Sequence, residues 1–235
     1  MLTFMRFNAL MVAVIVKGIT SMSHPREVVN RLARYKNALD KLRSLGLTRV
    51  FSDNLADVLG VSAALVRKDF SVFGLSGNKR GGYKVEELIS EIGHILGRDE
   101  PQKVIIVGCG KIGTALMNYN GFSHLRVNIV AGFDVNPAKF DAHAHIPIHN
   151  ISQLSAVVKA EEVHFAILTV PEAVASGVVD VLLSLDIRGI LNFTPMPLKD
   201  TGDCVIHNIN IALELENLFY LARLSRNAKE PPVET

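Results

Sequence analysis

The residues best suited to chemistry are three glycines and a carboxylate. Gly108-Cys109-Gly110-Lys111-Ile112-Gly113 spells G-x-G-x-x-G. The motif carries meaning when it follows an apolar strand and opens a helix. Here Val104-Ile105-Ile106-Val107 precedes it, and a helix over Ile112–Tyr119 is predicted after it. In that setting Gly108 permits a tight turn, Gly110 lets backbone approach a pyrophosphate, and Gly113 allows close helix–strand packing. The helix N-terminus offers free amides and a positive dipole end to the phosphates. Asp134 ends a second strand, Val127–Phe133, about 20 residues beyond the last glycine. A carboxylate there accepts hydrogen bonds from both adenosine ribose hydroxyls and repels a 2′-phosphate, which favours NAD(H) over NADP(H). Two alternatives stay open: a domain of this kind that binds nothing, or one that takes another adenine nucleotide such as coenzyme A.

A second constellation is basic. Between Met22 and Lys84 twelve Lys and Arg stand against five Asp and Glu, while the whole chain carries a formal charge of only +2. One end is therefore expected to meet a polyanion, although charge alone also fits a solvated basic face. The pattern there is helix, helix, tight turn, helix, then a basic glycine-rich hairpin from Gly77 to Tyr83. That is the order of a winged helix-turn-helix. On the third helix, Ala63 to about Phe70, Val66, Phe70 and Phe73 share an inward face. Ser62, Ala64, Arg67, Lys68 and Ser71 are left for DNA, with Arg or Lys able to read guanine or hold phosphate. Lys79 and Arg80 on the flexible turn reach the minor groove or the backbone. Asp69 cannot favour phosphate, and is expected to orient Arg67, Lys68 or a nearby backbone group.

The elements that position these groups follow from periodicity. Val28, Leu32, Tyr35, Leu39 and Leu42 mark a helix over Arg26–Leu45, and Asp53–Leu59 a second. Ser62 caps the third helix. Leu88, Ile89, Ile92, Ile95 and Leu96 mark another, and the polar break Gly97–Gln102 separates two domains. Strand–helix alternation then takes over, with strands at Val163–Val170, Gly189–Phe193 and Cys204–His207 and a helix over Glu172–Leu185. This is an α/β, doubly wound Rossmann-type parallel sheet. The helix from about Ile209 to Leu224 is apolar around its whole circumference, so it is expected to pack on a second subunit, or else in a groove of its own chain. The expected organisation is 1–21 a leader or an extension, with either Met1 or Met22 as the start, 22–97 a winged-helix domain, 102–207 a Rossmann domain, 208–226 a dimerising helix, and 227–235 a disordered tail.

Several classes are disfavoured. Two cysteines, Cys109 and Cys204, give neither a disulfide framework nor a metal-ligand pair, which suits a reducing, cytoplasmic setting without metal. No apolar run reaches the length of a membrane span. His143, His145, His149, His164 and His207 are scattered without acidic partners, so a small NAD-dependent oxidoreductase lacks its acid–base group and its substrate domain.

From about Pro25 to Leu224 the sequence resembles the Rex family of redox-sensing repressors. The resemblance rests on Val66-Arg67-Lys68-Asp69-Phe70-Ser71 with Phe73-Gly74, the glycine-rich wing, Gly108–Gly113 with Asn118-Tyr119, Phe133-Asp134-Val135, Leu168-Thr169-Val170-Pro171 and Gly189–Phe193. It implies a homodimer that exchanges C-terminal helices, palindromic operator DNA, and release of that DNA when NADH rises relative to NAD+. It also implies that Tyr119 faces the nicotinamide and that Thr169, Val170 and Pro171 line the nucleotide. Against the family pattern, Asn37 replaces an arginine of the first helix, Asn210 an aspartate of the last, and Ile211 an aromatic over the nicotinamide. These are switch candidates. The differences imply either weaker discrimination of NADH from NAD+ or a different nucleotide.

Overall fold

A computed structural model of the chain describes residues 25–77 and 81–227. It separates into two compact units, Met1–Glu100 and Pro101–Thr235. The first contains α1 (Pro25–Ser44), β1 (Arg49–Val50), α2 (Ser52–Leu59), α3 (Ala63–Val72), β2 (Tyr83–Lys84) and α4 (Val85–Ile95). Leu32, Tyr35 and Leu39 fall on one face of α1 and are fully buried against Leu55, Val66, Phe70 and Ile92. Gly60, at φ 65°, stops α2 in the left-handed conformation. Two residues later the Ser62 hydroxyl accepts the Leu65 amide at 3.2 Å and starts α3, a cap worth about 1 kcal/mol.

The wing differs from the hairpin expected within Gly77–Tyr83. The antiparallel pair joins β2 to β1, with Arg49 opposite Lys84 and Val50 opposite Tyr83. A glycine-rich turn has few side chains to hold a ladder of its own, so its returning strand pairs with chain laid down before α2. Gly82 sits at φ 63°, and a Cβ there would run into the Val50 carbonyl. Lys79 and Arg80 lie outside the described residues, as do the expected 1–21 leader and nearly all of the 227–235 tail.

The second unit holds β3 (Gln102–Val107), α5 (Lys111–Met117), β4 (Val127–Asp134), β5 (Ile148–Asn150), α6 (Leu154–Glu161), β6 (Phe165–Leu168), α7 (Glu172–Ser184), β7 (Gly189–Asn192), β8 (Val205–Asn208) and α8 (Ile211–Asn227). The strands form one parallel sheet in the order β5-β4-β3-β6-β7-β8. That is the doubly wound Rossmann order, whose direction of progression reverses between β3 and β6. Ile105, Ile106 and Val107 of β3 are buried, as a strand covered on both faces must be. Two elements escaped the sequence reading: β5 is three residues long with no fully buried side chain, and α6 buries only Leu154 and Val158. The α5 helix stops at Met117 rather than Tyr119, and β6 is shorter than the apolar run Val163–Val170.

In α8 every described side chain from Ile211 to Arg226 is exposed. Phe219 and Tyr220 are about two-thirds accessible, at 66% and 64%.

Candidate functional site

The loop after β3 is built around backbone that side chains would obstruct. Gly108 adopts φ 99°, and a Cβ on it would lie 2.7 Å from the Thr169 carbonyl group and 2.9 Å from the Val170 nitrogen. The loops leaving β3 and β6 can approach this closely only across a glycine. A Cβ on Gly113 would meet the Thr169 hydroxyl at 2.9 Å. Gly110 is different, because a Cβ there would meet no protein atom within 4 Å. Protein packing therefore does not demand a glycine at 110, whereas a ligand lying on the backbone does. This is the observation by which the loop fits a dinucleotide pyrophosphate.

Asp134 is 9% exposed and more heavily engaged than its position alone implies. Its carboxylate accepts the Cys109 amide at 2.9 Å, the Asn136 amide at 2.9 Å and the Lys139 ammonium at 2.7 Å. Burial by itself raises this carboxyl, but the Lys139 ammonium and the Asn136 and Cys109 amides outweigh it and hold the group below the ordinary aspartate value. Asp134 thus shapes the glycine loop through the Cys109 amide. Lys139 and Asn136 were missed from the sequence. The available signal was a turn motif, Asn136-Pro137-Ala138-Lys139, directly after the acidic residue, with the Asn136 side chain accepting the Ala138 amide at 3.0 Å.

Of the other positions implied for the nucleotide, Thr169, Val170 and Pro171 follow β6 immediately, and the Thr169 amide donates to the Val107 carbonyl at 2.8 Å. Tyr119 is 59% exposed and stands edge-on to Phe122, with ring centroids 5.1 Å apart. Lys111 and Ile112 are exposed and Cys109 is buried. Ile211 opens α8 and is exposed, and the Asn210 side chain accepts the Leu213 amide at 3.1 Å as that helix's cap. Asn37 is exposed on α1.

In the first unit, α3 buries Val66, Phe70 and Phe73 and exposes Ser62, Ala64, Arg67, Lys68 and Ser71 along the opposite side. A groove runs between α3 and the wing, bordered by Phe51, Ser52, Arg67, Ser71, Gly77 and Tyr83. Arg67 reaches across it to the Ser52 hydroxyl at 2.9 Å. Asp69 does not orient Arg67 or Lys68 as expected. It is 2% exposed and points into the core, where it accepts Arg31 Nε at 2.7 Å, Arg31 Nη2 at 2.9 Å and the Tyr35 hydroxyl at 2.9 Å. Helical geometry explains the correction: Asp69 lies three residues after Val66 and four before Phe73, so it shares their buried face.

Residues 25–71 match the family described as putative DNA-binding protein N-terminus, and residues 99–196 match the CoA binding domain. The chain is 39% identical over 200 residues to the redox-sensing transcriptional repressor Rex of Bacillus subtilis (strain 168), covering 85% of this chain and 92% of that protein. It is 37% identical to the same-named repressor of an Exiguobacterium species, covering 83% and 90%. The chain belongs to the Rex family.

Rex relatives are named as transcriptional repressors rather than enzymes. Among solved structures, the Rex-family repressor RSP in complex with β-NAD+ and operator DNA matches with a TM-score of 0.80 at 30% identity, over 86% of this chain and 94% of that one. RSP in complex with β-NADH matches with a TM-score of 0.76 at 30% identity, over 87% and 96%. Among the described residues, no helix is long and apolar enough to cross a membrane.

Proposed function

We propose that this chain is a cytoplasmic transcriptional repressor. It binds palindromic operator DNA as a homodimer and responds to the NADH/NAD+ ratio, with NADH binding releasing DNA. The carrying observation is the pairing, in one chain, of a glycine loop with free space beside Gly110 and a helix that presents Arg67 and Lys68 outward. The likeness to RSP holding both β-NAD+ and operator DNA supports the same reading. Residues 22–97 form the DNA-binding head and residues 102–207 the nucleotide domain. The 208–226 segment pairs with its counterpart in a second copy. A helix with exposed Leu218, Phe219, Tyr220 and Leu221 needs an apolar partner, and two-fold protein symmetry matches a palindrome.

Within this reading Gly108–Gly113, Asp134 and the Thr169-Val170-Pro171 turn hold the adenosine and pyrophosphate, and Tyr119 faces the nicotinamide. Ser62, Ala64, Arg67, Lys68 and Ser71 contact DNA, joined by Lys79 and Arg80 from the wing. The test is fluorescence anisotropy of a labelled palindrome taken from upstream of the protein's own coding region, at fixed salt, with NADH and NAD+ titrated separately. Release by NADH alone is expected. Tight DNA binding that neither nucleotide shifts overturns the sensor.

A second reading is favoured by the cap at α8. Asn210 spends its side-chain oxygen on the Leu213 amide, and neither it nor Asn37 carries charge. A neutral pair at the switch positions lowers the difference in ligand affinity between the two conformations, and with it the redox response. The same titration then gives NADH and NAD+ midpoints that lie close together.

A further inference from the structure

The buried polar cluster under α3 is larger than docking a helix requires. A buried carboxylate is costly unless fully satisfied, and an apolar residue at position 69 would fill the same face without that cost. Instead Asp69 receives both fork nitrogens of Arg31 and the hydroxyl of Tyr35, all from α1. A bidentate Arg–carboxylate pair fixes direction as well as distance. Burial first, and then Asp69, push the Tyr35 phenol above its ordinary range, so it stays a neutral donor.

The contact does not end at Tyr35. Its ring meets Phe70 edge-on, with centroids 5.3 Å apart at 82°, and Phe70 meets Tyr83 of β2 in the same way at 5.1 Å and 85°. Tyr83 in turn covers Gly77, where a Cβ would lie 2.5 Å from the ring. One continuous series of contacts thus links α1, the helix that exposes Arg67 and Lys68, and the strand that ends the wing.

We infer that Asp69 is a positioning residue for operator recognition: through Arg31 and Tyr35 it fixes the angle of α3, and through Phe70 and Tyr83 the wing, relative to α1. The inference rests on the head binding DNA. Base reading depends on the angle at which a helix sits in the groove, whereas attraction to phosphates depends mainly on charge. Loosening this clamp therefore lowers discrimination between operator and random DNA more than it lowers affinity for random DNA.

The test uses the full chain with Asp69→Asn and Tyr35→Phe. Both keep side-chain size and leave the surface charges of α3 untouched. Operator and scrambled duplexes of equal length are compared by anisotropy, at a temperature where circular dichroism shows each variant folded. NADH binding, followed by ligand fluorescence, reports on the second unit. The expected result is a loss of about tenfold in the operator-to-scrambled ratio for Asp69→Asn. Scrambled affinity stays within about twofold, Tyr35→Phe shows a smaller loss in the same direction, and NADH binding does not change. A ratio equal to that of the unsubstituted chain in both folded variants overturns the inference, and so does a parallel fall for both duplexes. If the unsubstituted chain shows no operator preference, the DNA-binding reading itself has failed. That result is seen before any variant is compared.

Discussion

The Cys109 amide donates to the Asp134 carboxylate at 2.9 Å, so the residue that ends β4 also holds the second position of the glycine loop after β3. Loop and strand end are one hydrogen-bonded unit, which the Lys139 ammonium joins at 2.7 Å. Replacing Asp134 with Ala is expected to weaken NADH binding by about tenfold or more, since hydrogen bonds to a charged group are the costly ones to lose. With the carboxylate gone and Lys139 released, NADPH gains relative to NADH. Titration with both nucleotides checks this, and an unchanged NADPH/NADH ratio counts against the role given to Asp134.

Gly108 and Gly110 are two residues apart and should fail differently. Gly108→Ala forces a Cβ into the Thr169–Val170 backbone at φ 99°. It is expected to destabilise the second unit by about 2 kcal/mol or more. Gly110→Ala meets no protein atom within 4 Å. It should melt like the unsubstituted protein yet lose nucleotide affinity. Thermal melts with and without NADH separate the two, and a nucleotide-competent Gly110→Ala removes the support for a ligand at this loop.

Among the described residues, Lys68 of α3 makes no side-chain hydrogen bond, whereas Arg67 is held to Ser52 at 2.9 Å. A pre-oriented guanidinium suits base reading, and a free ammonium suits phosphate. Arg67→Ala is expected to cost about 1–3 kcal/mol on operator and to relax specificity. Lys68→Ala should weaken operator and random DNA alike and reduce the salt slope by about 1. Anisotropy at several salt concentrations tells these apart.

Alkali should weaken the second unit through a buried thiol. Burial and then the Asp134 charge push Cys109 from 9.0 up to about 11. A group that holds its proton more tightly when folded contributes fully below its unfolded value and loses that contribution as pH rises through its folded value. Stability is therefore expected to fall between about pH 9 and 11, and Cys109→Ala should flatten that fall. Melting temperatures from pH 8 to 11 test it, and equal slopes in the two proteins exclude the thiol as the cause.

Leu221 is 60% exposed on α8. Leu221→Glu places a charge in the proposed pairing surface and is expected to convert dimer to monomer in sedimentation. Operator affinity should fall with it, while NADH still binds. A dimer that persists would mean the subunits pair elsewhere.

The residues themselves show how far sequence carried the reading. Gly108, Gly113 and Asp134 were legible because backbone sterics and strand ends leave marks in residue type. So was the inward face of α3, since Val66, Phe70 and Phe73 follow the helical repeat. Asp69 was misread for the opposite reason: a charged residue beside Lys68 looks like surface, and only its partners on α1, more than thirty positions earlier, make burial tolerable. The pairing of β1 with β2 was hidden in the same way, because two-residue strands carry no period. Lys139 acts only because the turn after β4 folds it back onto Asp134.

Among the described residues, the side chains that fill the core of the first unit, from Val28 to Ile92, and those that fill the second, from Val104 to Ile206, have no member in common. Each core is thus set by its own residues, and substitutions can accumulate in one set apart from the other. On the proposed function, a lineage can drift toward a new operator sequence by altering α3 while its nucleotide loop stays under separate selection, and the reverse holds equally. Such a protein can be inherited as two traits on a single gene.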